Sequence, residues 1–208
     1  MKKKTRLFLI RHAVTDLNTN ERYQSKTDLP LSKKGILQAQ RLKKHLEACP
    51  INAIMTSPSK RAKETSQILL GERKITIKEQ TELNEINFGV WEGFTYEDIR
   101  HKYPNELSNW NKNPLVSKIP GGDTMGAVVK RVAKVYREII KEYIGKNIAL
   151  VGHGGSLNIL LCYLFHISPR AMWQFQLAPA SLTEILIDQN SNVVMTLCND
   201  TCYLKGIQ

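Results

Sequence analysis

Two runs in this chain, Leu7-Phe8-Leu9-Ile10 and Ile148-Ala149-Leu150-Val151, are apolar at every position. A strand with one face in water alternates polar with apolar residues, so such runs predict strands covered on both faces. Helical spacing between them supplies the cover. Ser32 predicts a helix start with Ile36, Ala39, Leu42 and Leu46 along one face, and residues 60–70 read as a second helix. Asp123 or Thr124 caps a long helix whose Val128, Val132, Tyr136, Ile139 and Tyr143 make its buried face, and residues 157–165 form another. Residues 51–56, ended by Ser57-Pro58, and residues 75–78 are further strands. Residues 183–187 and 193–197 flank Asp188-Gln189-Asn190-Ser191-Asn192 as an antiparallel hairpin. Residues 89–122, with Trp91, Trp110, Pro104, Pro114 and Pro120, read as an irregular excursion over the core. The alternation predicts an α/β protein: a three-layer α/β/α sandwich with a mostly parallel central sheet and an antiparallel edge. A length of 208 residues suits a single domain over residues 1–208.

Composition narrows the partners. The first apolar run stops at Arg11-His12, too short for a signal peptide core, and no run reaches the roughly 18 residues of a membrane span. The expectation is a cytoplasmic protein with no membrane partner. A net charge of +11 raises the question of nucleic acid. Much of that charge lies in Lys2, Lys3 and Lys4 and on one helix carrying Lys33, Lys34, Arg41, Lys43 and Lys44, with no aromatic interleaving. A small anionic substrate fits the balance better than nucleic acid does. The four cysteines, Cys49, Cys162, Cys198 and Cys202, form no CxxC pair and are expected as reduced thiols. Cys198 and Cys202 lack the second ligand pair of a zinc site, so no metal is expected there.

In open α/β sheets, ligands bind beyond the carboxyl ends of the strands. The first strand exits into Arg11-His12, the second into Ser57 with Arg61 a turn later, the third leads to Glu85, and the fourth exits into His153. Two arginines hold a phosphate by paired, charge-assisted hydrogen bonds. Gly154 and Gly155 would let helix-start amides approach the same anion. A neutral imidazole is a competent nucleophile toward phosphorus, and neighbouring arginines keep it neutral. A carboxylic acid beside the leaving oxygen protonates it and then activates water. His45, His101 and His166 follow no strand and read as structural or solvated. Two histidines without a third ligand do not make a zinc centre.

The residues that carry this chemistry also carry a resemblance. Leu9-Ile10-Arg11-His12-Ala13-Val14-Thr15 with Asn18, Thr56-Ser57-Pro58-Ser59-Lys60-Arg61, Leu83-Asn84-Glu85-Ile86-Asn87-Phe88-Gly89 with Trp91-Glu92-Gly93, and Val151-Gly152-His153-Gly154-Gly155 follow one another in order. Together with Asp28-Leu29-Pro30-Leu31-Ser32 and Pro120-Gly121-Gly122-Asp123, they resemble the histidine phosphatase superfamily, the phosphoglycerate mutase-like proteins. The resemblance implies a phosphohistidine at His12, phosphoryl binding by Arg11, Arg61 and His153, and Glu85 as general acid and then base. It places Asn18, Gln24, Ser57 and the backbone of Gly154 on the substrate, and implies no metal or cofactor. Ala13 and Ser25 stand where glycine is common.

Phosphoglycerate mutases of this kind carry paired arginines after a tryptophan. Here Trp110 is followed by Asn111-Lys112-Asn113, which points to a phosphatase. Arg22-Tyr23-Gln24 and Asn199-Asp200-Thr201 resemble the α-ribazole-phosphate phosphatase branch of cobalamin synthesis, although Tyr203 stands where that branch often has histidine. A broad-specificity phosphatase, a mutase and a phosphate-binding protein without turnover are the alternatives. Specificity is expected from residues 94–116, as an aromatic and cationic cover over the phosphate pocket.

Overall fold

A computed structural model describes residues 4–17 and 22–207. Six strands form one sheet: β1 (Thr5–Arg11), β2 (Ala53–Thr56), β3 (Ile77–Glu79), β4 (Asn147–Gly152), β5 (Leu182–Ile187) and β6 (Val193–Asp200). Their order is β3-β2-β4-β1-β5-β6. The first four run parallel, and β5 and β6 add an antiparallel edge.

The period of two along each strand sorts its side chains between two cores. Leu7 and Leu9 of β1, Met55 of β2 and Ile148 and Leu150 of β4 face one core. Phe8, Ile10, Ile54, Ala149 and Val151 face the other. Helices α1 (Lys33–His45) and α2 (Lys60–Leu70) supply Leu42, Ala62 and Leu69 to the second core. Helices α5 (Met125–Glu142) and α6 (Gly154–Leu164) cover the first with Val128, Val132, Ile139, Leu157 and Leu161. This is the expected sandwich. Strands buried on both faces cannot be displaced without exposing two layers, so their exits make a stiff platform.

Two local expectations need correction. Helix α1 buries Gly35, Gln38, Ala39 and Leu42, while Ile36 is exposed. Its first turn is pressed against the loop after β1: a Cβ on Gly35 would lie 2.1 Å from the Val14 carbonyl oxygen. Gln38 accepts from the Val14 amide, and these contacts turn Ile36 outward. Of the two caps expected for α5, Thr124 is the one that serves.

The second correction concerns residues 89–122, which are more regular than they read. They contain α3 (Tyr96–Lys102), with a Thr95/Asp98 capping box, and α4 (Pro104–Lys112). Pro104 looks like a breaker in the sequence but sits in a first turn, where its missing N–H costs nothing. Trp91 and Trp110 meet edge to face at 5.9 Å inside the first core. Among the described residues no helix is long and apolar enough to cross a membrane.

Candidate active site

Sheet register brings the strand exits together. The His12 amide donates to the Gly152 carbonyl at 2.9 Å, and the Ser57 amide to Val151 at 3.0 Å. His12 and His153 thereby face each other edge to face, with ring centroids 5.1 Å apart. Arg11, His12, Glu85 and Gly154 line one end of a cavity of about 500 Å³.

The tautomer of His12 follows from its partner. Nδ1 lies 2.7 Å from the Ala13 carbonyl oxygen, which can only accept, so Nδ1 carries the proton and Nε2 keeps its lone pair. Burial, and then the charges of Arg61 and Arg11, hold the His12 pKa well below the ordinary histidine value. A neutral, singly oriented imidazole results.

His153 is fixed by the same reasoning. An Arg61 amino group (Nη2) donates to His153 Nδ1 at 3.2 Å, so in the neutral ring Nε2 holds the proton and donates to Ser57 Oγ at 2.9 Å. The Ser57 hydroxyl in turn donates a hydrogen bond to Asn84 Oδ1 at 2.9 Å. Burial, and then His12 and the arginines, push the His153 pKa well down. Ser57 is fully buried beside His153 and, like Arg61 and His153, is not among the residues that line this cavity. Its hydroxyl orients the histidine.

The two arginines are held by backbone carbonyls. Arg11 donates to Leu177 at 2.6 Å, and Arg61 to Thr27 at 3.1 Å and Ser25 at 3.3 Å. Burial lowers both pKa values, an effect that Glu85 opposes. Among the described residues, the Nε of each guanidinium is buried without a hydrogen-bond partner.

Glu85 occupies the place expected for the substrate anion. Its carboxylate accepts from the amides of Gly155 at 3.0 Å, Ser156 at 2.9 Å and Ile86 at 2.8 Å. The start of α6 thus holds a protein carboxylate, and only Gly154 remains beside Arg11. A Cβ on Gly155 would lie 2.6 Å from Glu85 Oε1, so glycine is needed there to seat the acid. Gln24 lines the cavity, with its side chain tied to Thr15 and to the Thr27 carbonyl. Asn18 lies outside the described residues.

Two supporting residues carried no signal of their own. Glu92 accepts from the amides of Ser25, Lys26 and Thr27 and from the Ser25 hydroxyl, pinning the loop whose carbonyls hold Arg61. These bonds outweigh the opposing effect of burial, which is the largest single contribution, and bring its pKa to about 2. Arg131 on α5 donates to the carbonyls of Glu82, Asn84 and Glu85, fastening the segment that presents the acid. Glu92 stands within a quoted motif, but its role is visible only in space. Arg131 is one cation among many on the helices.

The outer part of the cavity overturns the expectation for specificity. None of residues 94–116 lines it; Ile99, Leu107 and Trp110 are core residues. Tyr23, Phe88, Trp173 and Phe175 form the wall instead, with Tyr23 edge to face on Phe88 at 4.6 Å and on Trp173 at 6.4 Å.

A buried neutral histidine flanked by two arginines, a second histidine and a carboxyl group defines a phosphoryl-handling centre. The comparisons agree with that class. The sequence matches the family described as Histidine phosphatase superfamily (branch 1) over residues 7–200, and the chain belongs to this family. It is 29% identical over 199 residues to "Phosphoserine phosphatase 1" of Hydrogenobacter thermophilus, covering 96% of this chain and 94% of that protein. It is 31% identical over 185 residues to the "Adenosylcobalamin/alpha-ribazole phosphatase" of Escherichia coli, covering 88% and 91%. Among solved structures, Bacillus stearothermophilus YhfR superposes with a TM-score of 0.87 at 31% identity, covering 97% of this chain and 100% of the other. The chain is a phosphatase of this family, a phosphomonoester hydrolase.

Proposed function

We propose that hydrolysis runs through a phosphohistidine on Nε2 of His12, without a metal. The observation that carries this is the Nδ1–H bond to Ala13, which leaves Nε2 unprotonated beside two arginines. Nε2 attacks phosphorus in line, the P–O bond breaks, and Glu85 gives a proton to the departing alcohol oxygen. Water then attacks the phosphohistidine, Glu85 takes the water proton, and inorganic phosphate leaves with His12 restored. Arg11 and Arg61 hold the phosphoryl oxygens, offering the partnerless Nε–H groups among their donors. His153 binds the same group once the dianion offsets the charges that now disfavour its protonation.

The aromatic wall supports a phosphomonoester whose alcohol carries a flat ring, such as α-ribazole 5′-phosphate, over phosphoserine. A mutase would need a cation for the second acidic group. Arg22 also lines the cavity, but it is engaged by the Gly93 carbonyl at 2.6 Å and by Asp98 at 3.7 Å. Rapid quench with 32P-labelled substrate in EDTA should trap an acid-labile phosphoenzyme that His12→Ala cannot form. Trapping in the alanine variant would assign the nucleophile elsewhere. A panel of α-ribazole phosphate, p-nitrophenyl phosphate, phosphoserine, sugar phosphates and 3-phosphoglycerate should rank the ring-bearing esters first; efficient interconversion of phosphoglycerates would overturn the phosphatase reading.

A further inference from the structure

Away from the phosphate cavity, where the C-terminal end of α1 meets the end of β6, three potential ligands converge. One atom each of His45, Asp200 and Cys202 lies within 4.8 Å of the others. His45 Nε2 is 3.6 Å from Asp200 Oδ2, and Cys202 Sγ is 3.4 Å from the same oxygen. Tetrahedral zinc, with bonds of about 2.0 Å to N and O and 2.3 Å to S, sets its ligand atoms roughly 3.3–3.8 Å apart. Both measured separations fall in that range.

Two of the three ligands are also held from behind. The His45 ring stacks on Tyr203 at 4.5 Å and 23°. Asp200 Oδ1 accepts from the Cys202 amide at 2.8 Å, which turns Oδ2 toward the other two groups. Such supporting contacts orient metal ligands and raise affinity. The cluster also lies at a helix C-terminus, whose partial negative charge favours a cation.

We infer that His45, Asp200 and Cys202 form a zinc-binding site with water as fourth ligand, separate from the phosphate chemistry. Imidazole, carboxylate and thiolate together suit zinc better than magnesium or calcium, which take oxygen ligands. Binding forms one Zn–S bond and releases the thiol proton to solvent; no electron moves. The site links α1 to the segment behind the nucleophile, since Tyr203 donates to the Ala180 carbonyl and the Ala180 amide donates to those of Arg11 and His12. Its role is to brace that segment. In sequence terms Cys202 is considered only with Cys198, whereas its neighbours in the fold, His45 and Asp200, are 157 and 2 residues away.

The test is titration of the full chain, stripped with EDTA and kept reduced, with zinc by competition against a chromophoric chelator. Cobalt substitution gives a parallel optical readout. One equivalent should bind with Kd of about 10 μM or tighter, and cobalt should show a thiolate charge-transfer band in the near ultraviolet. Cys202→Ser should abolish the band, and Cys202→Ser and His45→Ala should each weaken zinc at least about tenfold. Cys198→Ser should change neither readout, and thermal melts in EDTA should show all three variants folded. Stoichiometric zinc should raise the wild-type melting temperature but not that of Cys202→Ser. No binding below about 100 μM, or binding that survives both ligand substitutions, would sink the proposal. Turnover in EDTA should be the same for His45→Ala and wild type.

Discussion

The floor of the site, the buried cluster around His12, and the aromatic wall of the cavity are built differently. His12, Arg61 and His153 are 3%, 1% and 1% exposed, and each sits at or within a turn of a parallel strand's end. Trp173, in the wall, is 54% exposed and belongs to a 3₁₀ segment, Pro169–Gln174. A floor buried in two layers holds charge in place without reorganising, as phosphoryl transfer needs. A wall made of surface turns can change without disturbing the sheet. The chemistry should therefore be intolerant of substitution and the choice of alcohol tolerant of it.

The strongest challenge to that contrast is His12→Ala, expected to lower turnover of p-nitrophenyl phosphate at least about a thousandfold, with the melting temperature retained. A loss under tenfold would remove His12 from the centre of the mechanism. Glu85→Gln should cost roughly 10²–10⁴-fold on an alkyl phosphate. The loss should be smaller on p-nitrophenyl phosphate, whose leaving group needs little help from an acid. Equal losses on both esters would argue that Glu85 only holds α6.

Glu92 tests whether the floor depends on its loop. Its pKa is depressed to about 2, so its stabilising effect is complete above the ordinary carboxyl value of 4.5 and is lost as pH falls toward 2. Glu92→Gln should destabilise the protein by about 1–3 kcal/mol at pH 7, and the gap from wild type should close in acid. Melting curves across pH check both the sign and the window. The variant should also lower kcat/KM by about tenfold through a misplaced Arg61.

The smallest effect belongs to the wall. Trp173→Ala should lower kcat/KM for a ring-bearing ester by about 3–10-fold and leave phosphoserine unchanged. A uniform loss would show that the wall acts as packing rather than as a selector.

Much of the floor was legible because each exit residue follows an apolar run whose burial has no alternative. Arg11-His12 and Gly152-His153 needed only the rule that ligands gather beyond parallel strand ends. The partners of Glu85 were not legible. The glycines of α6 were read as making room for phosphate, and Gly155 makes room for the Glu85 carboxylate. Ser57, expected on the substrate, has its hydroxyl between His153 and Asn84. In both cases the sequence places the residue along the chain, while the direction of the side chain depends on neighbours from distant segments. The placement of specificity in residues 94–116 failed for a related reason. Aromatic residues in an irregular-looking stretch suggested a cover, but two short helices turn Trp110, with Ile99 and Leu107, into the core.

By itself the sequence determined which residues must be buried and which residues leave each strand, because strand and helix periods are local and burial of apolar side chains dominates. It therefore determined the layered fold and the inventory of phosphate chemistry. The tertiary structure alone decided which histidine nitrogen carries the proton, which amides Glu85 occupies and which aromatics line the cavity. Those are matters of direction over a few ångströms, set by hydrogen bonds between residues far apart in the chain.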